Sequence, residues 1–179
     1  LSNATPTGYY LKKWLNSSVD LRPNSTTTTW HTFVVFRLAE FYLNYAESVY
    51  RYLGTPDAMV GDLPMSAVGA INVVRSRPGV GMPALAAGMD DQTFWKYYES
   101  ERMVELAFED HRFYDVRRWK LGAERFKQIH EMKIVKTGDN AFTYTRRTVN
   151  RNWEEKMNLF PISEQEIRLN PNLTQNQGW

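Results

Sequence analysis

Cysteine is absent from the 179 residues, which excludes a disulfide framework, a thiol nucleophile and any zinc site built on thiolates. The absence does not fix the compartment. Histidine is scarce: His31, His111 and His130 are the three, and none stands at His-x-x-x-His spacing, so no metal site and no cofactor is expected. No stretch approaches the ~18 apolar residues of a membrane-spanning helix. The start, Leu1-Ser2-Asn3-Ala4, has neither the basic nor the apolar region of an export signal. Net charge is only +2, too little for a broad electrostatic footprint on nucleic acid or anionic lipid.

What the chain does have is the makeup of a globular domain. At 21.0 kDa it matches one domain by the usual span of ~100–200 residues. Hydrophobic residues are 42% and charged residues 23%, enough apolar material to exclude wholesale disorder. Aromatics are plentiful, with six Trp, ten Tyr and nine Phe.

The opening Thr5-Pro6-Thr7-Gly8-Tyr9-Tyr10 reads as a turn leading into a short extended or helical piece that ends near Leu15. Asn16 to Thr29 is polar and reads as a surface loop. From Thr32 to Leu53, Leu38, Phe41, Tyr42, Tyr45, Ala46, Val49 and Leu53 recur at the spacing of one helix face, and Gly54-Thr55-Pro56-Asp57 stops the helix. A second helix is predicted from Pro64 to Arg77, with Pro64 in its first turn. The two make a helical hairpin of the tetratricopeptide type. One pair alone cannot close a repeat core, which needs about three repeats. Asp90 or Asp91 caps a third helix from Gln92 to His111 or beyond, and Trp119 to Ile129 is read as a shorter one. Met132–Lys136 and Ala141–Val149 flank Gly138-Asp139-Asn140 and predict a β-hairpin near residues 132–149. Ser163-x-x-Glu166 opens one short helix that stops before Asn170-Pro171. The fold class is therefore mainly α, a tetratricopeptide-like helix pair plus further helices, with a small β-hairpin.

Glu101, Glu105 and Glu109 recur every four residues and place three carboxylates on one stripe of a helix. Paired carboxylates do acid–base work on glycosidic bonds or bind hard cations. Like charges at i,i+4 destabilise a helix unless cations answer them, and this chain supplies the cations. Arg75, Arg77, Arg112, Arg117 and Arg118 lie nearby in sequence, and Arg suits bidentate, partly buried pairing. The reading is a structural network of Arg75, Arg77, Glu101, Glu105, Glu109, Arg112, Arg117 and Arg118, with no catalytic residue assigned. Arg146-Arg147 and Arg151 interleave with Tyr144 and Trp153 like a single-strand binder, but nearby acids and the near-neutral balance speak against nucleic acid. Trp14, Trp30 and His31 border the polar loop and are the candidate ligand residues, since exposed Trp stacks on sugar faces, though packing is the commoner use of such rings.

Four segments in order carry a resemblance: Arg37-Leu38-Ala39-Glu40-Phe41-Tyr42-Leu43-Asn44-Tyr45-Ala46-Glu47; Ala70-Ile71-Asn72-Val73-Val74-Arg75-Ser76-Arg77; Glu101-Arg102 through Arg117-Arg118-Trp119; and Leu159-Phe160-Pro161-Ile162 with the ending Asn170 to Trp179. Together they resemble the C-terminal part of the SusD/RagB family, surface nutrient-binding lipoproteins of Bacteroidota, over Gly8 to Trp179. Small departures are Pro78 where the family usually has Ala, Asp110 where Gly is usual, and Gln177 where Pro is common.

The resemblance implies a helical fold of tetratricopeptide-like pairs and a non-catalytic role, holding a glycan or sometimes a peptide at the cell surface. It also implies a SusC-like, TonB-dependent transporter as partner, and an outer-membrane location through a lipid-bearing Cys. Family members are about three times this length, so residues 1–179 are expected to be a fragment that docks on the N-terminal remainder of its own chain. The competing readings are a glycoside hydrolase using Glu101, Glu105 or Glu109, and a helical-repeat scaffold without a small ligand. Glu101, Glu105 and Glu109 are expected to be covered and paired. Phe160, Ile162 and Trp179 are expected to pack back on the helices.

Overall fold

The computed structural model describes residues 5–20, 22–59 and 61–179; Leu1 to Ala4, and Leu21 within the expected polar loop, lie outside the described residues. The chain forms two compact units, residues 32–112 and residues 1–31 with 113–179. It is mainly helical with one two-stranded antiparallel sheet, the fold class its patterning predicts.

In the unit of residues 32–112, α1 (Leu38–Leu53) and α2 (Ala67–Ser76) form the helix pair. α1 begins later than its periodicity implies, because Phe33-Val34-Val35-Phe36 is a β-branched and aromatic run that favours extended backbone. Gly54 ends the helix in the left-handed region at φ 76°, with its N–H on the Tyr50 carbonyl at 2.9 Å, a conformation Gly adopts without steric cost. α2 starts at Ala67 rather than Pro64, because Ser66 is the better cap: its side chain accepts from the Gly69 N–H. The Tyr45 hydroxyl donates to the Met65 carbonyl at 2.7 Å and fixes the entry to α2.

α3 (Asp91–Glu105) is capped by Asp90, whose carboxylate accepts from Thr93. Leu43, Ala46, Ala70, Ile71, Phe94 and Tyr98 are fully covered where the three helices meet. Asn72 holds the following Gly/Pro/Ala loop against α2, since its amide donates to the Leu85 carbonyl and accepts from the Leu85 N–H.

The third helix does not run on to His111. It stops at Glu105, and α4 (His111–Arg118) starts anew. Between them, Phe108 and Asp110 sit at φ 62° and 63°, left-handed positions that no helix interior tolerates.

In the unit of residues 1–31 and 113–179, residues 119–129 are not the expected helix. Only α5 (Gly122–Arg125), a single turn, forms there. The hairpin takes the rest: β1 (Gln128–Gly138) pairs with β2 (Ala141–Asn150), from Gln128 opposite Asn150 to Gly138 opposite Ala141. Alternating β-branched and aromatic residues on β2 reward that length. The piece before Leu15 is not helical; its Gly8 N–H closes a turn on Thr5, and Met132 N–H reaches the Thr7 carbonyl at 2.8 Å. A 3₁₀ turn at Glu155–Asn158 precedes α6 (Glu164–Leu169), whose cap Ser163 accepts from the Glu166 N–H.

The C-terminal tail is held by hydrogen bonds more than by burial. Trp179 is 45% and Phe160 56% exposed, which corrects the expectation that they pack away from water. The Trp179 indole N–H donates to the Lys156 and Leu159 carbonyls. Gln175 pairs both ends of its amide with the Ile162 backbone at 2.8 Å. The Phe160 ring lies 6.0 Å from that of Phe113 on α4.

Gly122 admits a close approach: a Cβ there would stand 2.0 Å from Trp153 Cε2. Gly122→Ala should unseat the indole and destabilise the protein by about 1–3 kcal/mol, the usual cost of overpacking. A thermal melt with Trp fluorescence reads both effects, and an unchanged melt and spectrum would show that Trp153 is not packed there.

Candidate functional site

The carboxylate stripe is gathered by the ends of three helices. Arg37 is the N-cap of α1, Arg77 the C-cap of α2, and Glu105 the last residue of α3. Glu105 accepts from Arg77 Nη2 at 2.7 Å on one oxygen and from Arg37 Nη1 on the other. Arg37 Nη2 also caps the Glu105 carbonyl, and its Nε reaches Glu109 at 2.6 Å. Arg75 Nη1 pairs with Glu101. The helix break between Glu105 and Glu109 does not separate the two carboxylates chemically, because one guanidinium spans both.

Burial pushes the Glu105 carboxyl up, but the hydrogen bonds and charges of Arg77 and Arg37 outweigh it and hold the group below its ordinary range. For Arg37, burial works against the charge, and Glu109 with Glu105 outweighs it in turn. Both groups stay ionised. That is the opposite of what a glycosidase acid needs, a carboxyl kept protonated by a raised pKa.

Four assignments differ from the sequence reading. Arg37 joins the cluster and was read only as a helix residue; its position just before α1, not inside it, frees the side chain to turn toward α3. Arg112 pairs with Glu99 at 2.9 Å, and Arg118 with Asp115 at 2.9 Å. Arg117 lies over rings instead, 3.6 Å from the Phe113 centroid and 5.1 Å from that of Trp153.

A second cluster is buried beside the first. The Tyr98 hydroxyl donates to Glu47 at 2.8 Å, Arg102 to Asn44 at 2.7 Å, and His111 Nε2 lies 3.5 Å from Glu40. Glu40, Glu47, Glu99 and Arg102 are all buried; the apolar spacing on α1 gave no sign that its polar face would be covered too. Among the described residues, no group of three or more His, Cys, Asp and Glu is placed to hold a metal ion, and no helix is long and apolar enough to cross a membrane.

The three candidate ligand residues are partly brought together. Trp14 and His31 meet edge to face at 5.4 Å, with Lys13 Nζ 5.1 Å from the indole, and Asn16 ties the loop ends by donating to Thr29 at 3.1 Å. Trp14 is held at φ 70°, uncommon for a bulky residue. Trp30 is bare, at 101% exposure. The basic run divides as well: Arg147 pairs with Glu131 across the hairpin at 2.8 Å, while Arg151 and Trp153 line a hollow with Arg117.

With this geometry in place, comparison with known families matches residues 1–179, the whole chain, to the SusD family. The chain belongs to the SusD family. It is 31% identical over 170 residues to SusD-like protein P25 of Formosa agariphila, covering 94% of this chain and 28% of that one. It is also similar to a solved structure, BT4246, with a TM-score of 0.60 and 34% identity, covering 82% of this chain and 24% of the other. The chain thus spans about a quarter of the length of these relatives.

Removing one partner of a buried pair strands the other charge, at about 3–5 kcal/mol. Glu105→Ala should fall at about 3 kcal/mol, the lower end of that range, since the Arg77 side chain is 38% exposed. Because Glu105 titrates lower folded than unfolded, its contribution is complete above its ordinary value of 4.5 and is lost as pH falls through the depressed one. Glu105→Gln should therefore flatten the stability profile below pH 4.5. Urea midpoints across the acid range check this, and parallel profiles for the two proteins would refute it.

Proposed function

We propose that the protein binds a glycan, or another nutrient oligomer, at the cell surface without chemical change and hands it to a SusC-like, TonB-dependent outer-membrane transporter. The observation that carries this reading is the whole-length match to the SusD family, a family of nutrient-binding proteins of the outer membrane. The stripe supports the non-catalytic half. Glu101 and Glu105 each answer an Arg, and Glu105 is kept ionised, so Glu105 is not poised to donate a proton. Lipid anchoring at the outer membrane belongs to the same reading. Trp14, Trp30 and His31 are the proposed contacts, with Trp30 the open stacking face.

Residues 1–179 are proposed to be the C-terminal part of a longer SusD/RagB-like domain. The relatives' greater length supports this, and so does the apolar surface on α1. Leu38 and Phe41 are 68% and 60% exposed and line a hollow of about 410 Å³ with Tyr42, Tyr45, Pro64 and Met65. Monomers seldom leave contiguous apolar patches beyond a few hundred Å² in water, so the N-terminal remainder is the natural cover.

Incubation with mixed glycans tests the function. Retained, unshortened oligomers are the expected outcome, reduced by Trp30→Ala; shortened products would point to a hydrolase, and capture of protein partners without sugar to a scaffold. For the domain reading, sedimentation of the 179-residue chain should show self-association or apolar-dye binding. A monomer that binds no dye would overturn it.

A further inference from the structure

The hollow beside Arg117 is a different kind of place from the carboxylate cluster. Its wall combines two guanidinium groups, Arg117 and Arg151, with the Asn152 amide and the Trp153 indole around about 270 Å³. No carboxylate is among its lining residues. Neither Arg117 nor Arg151 has an ion pair among the described residues, whereas Arg37, Arg75, Arg77, Arg112 and Arg118 each do.

Two donors at this place are buried without an acceptor: Arg117 Nε and Trp153 Nε1. An indole N–H can only donate, and a guanidinium has no acceptor atom. The rings of Phe113, Phe126, Trp153 and Phe160 surround the Arg117 guanidinium at 3.6 to 5.8 Å. Ring faces attract a cation, but they offer no lone pair in the donor directions and a weaker field than an anion. Arg117 Nη1 reaches only the Phe113 carbonyl, at 3.3 Å.

We propose that this hollow is an oxyanion site, taking one carboxylate or sulfate group between Arg117, Arg151 and the Trp153 indole N–H. An oxyanion brings the lone pairs that both buried donors lack and the negative charge that two unpaired guanidinium groups require. Burial pushes the Arg117 guanidinium down from its ordinary value, with Tyr114 only partly opposing, as expected of a covered cation whose counter-charge arrives from outside. The anchor is rigid, because Trp153 is seated on Gly122, where no side chain would fit. Arg151 is exposed and guards the opening.

The test is a titration of the isotope-labelled 179-residue protein with sodium acetate, and separately with sodium sulfate, at ionic strength held constant with sodium chloride. The Trp153 indole N–H and Arg117 Nε–H resonances, identified with Trp153→Phe and Arg117→Lys, should shift downfield and saturate. Arg151→Gln, at an exposed position without an ion pair, should leave the fold intact and weaken the anion by about tenfold, the order expected on losing one charged donor. A glucuronate arm distinguishes the source. Binding tighter than acetate marks an anion carried on a sugar, and binding equal to acetate marks a small free anion; both support the site. Resonances that stay in place with every anion, that move equally with neutral glucose, or that titrate unchanged in Arg151→Gln would overturn it. Glycan bound elsewhere leaves these two resonances where they are, so failure of the proposed function would be seen separately.

Discussion

Three helix ends meet on one carboxylate. Glu105 closes α3, Arg77 closes α2, Arg37 opens α1, and each Glu105 oxygen takes a different guanidinium. The last carbonyls of a helix have no partner inside it, and Arg37 supplies one to the Glu105 carbonyl. The same side chain continues to Glu109, so the chain can leave the helix after Glu105 without stranding a second covered carboxylate. Desolvation of these groups is a cost that only multiple, well-directed bonds offset. The geometry provides them, and in return the helix pair and α3 are held in one register at their ends while Leu43, Ile71 and Phe94 fill the middle.

The helix pair, the capped starts at Asp90 and Ser163 and the glycine stop at Gly54 were legible because each rests on a local preference that tertiary contacts reinforce. The break after Glu105 was not. Leu106-Ala107-Phe108-Glu109-Asp110 has ordinary helix composition, and only φ above 60° at Phe108 and Asp110 ends it. One signal was present: Asp110 stands where the family usually has Gly. A position that prefers Gly demands left-handed backbone, and Asp is among the few other residues that accept it. The long hairpin shows the converse. Residues 128–131 contain a plausible helix end, yet pairing across from Thr148, Val149 and Asn150 extends the ladder through them, since cross-strand partners override weak propensity.

Arginines with similar sequence surroundings end in unlike environments for a geometric reason. In the run from Arg112 to Arg118, one-residue steps of 100° turn successive side chains to different sides. Arg118 looks back to Asp115 three residues earlier, while Arg117 points to Phe113 four residues earlier. Charge alone therefore could not assign these residues to the carboxylates. The i−3 and i−4 neighbours decide it, and those are an acid for one and a ring for the other.

Locking carboxylates has a consequence for what kind of ligand chemistry remains. Glu105 is ionised, with each oxygen accepting from a different Arg, and so has no proton to give. Exposed ring faces remain to meet a ligand. Trp30 stands fully in solvent, and ring faces suit the apolar side of a sugar. A protein that must hold an oligomer and release it intact gains from such contacts. They are weak singly, additive along a chain, and carry no group with the pKa to cleave what they hold. Under the proposed non-catalytic role, the buried ionic network supports the scaffold while exposed ring faces meet the ligand.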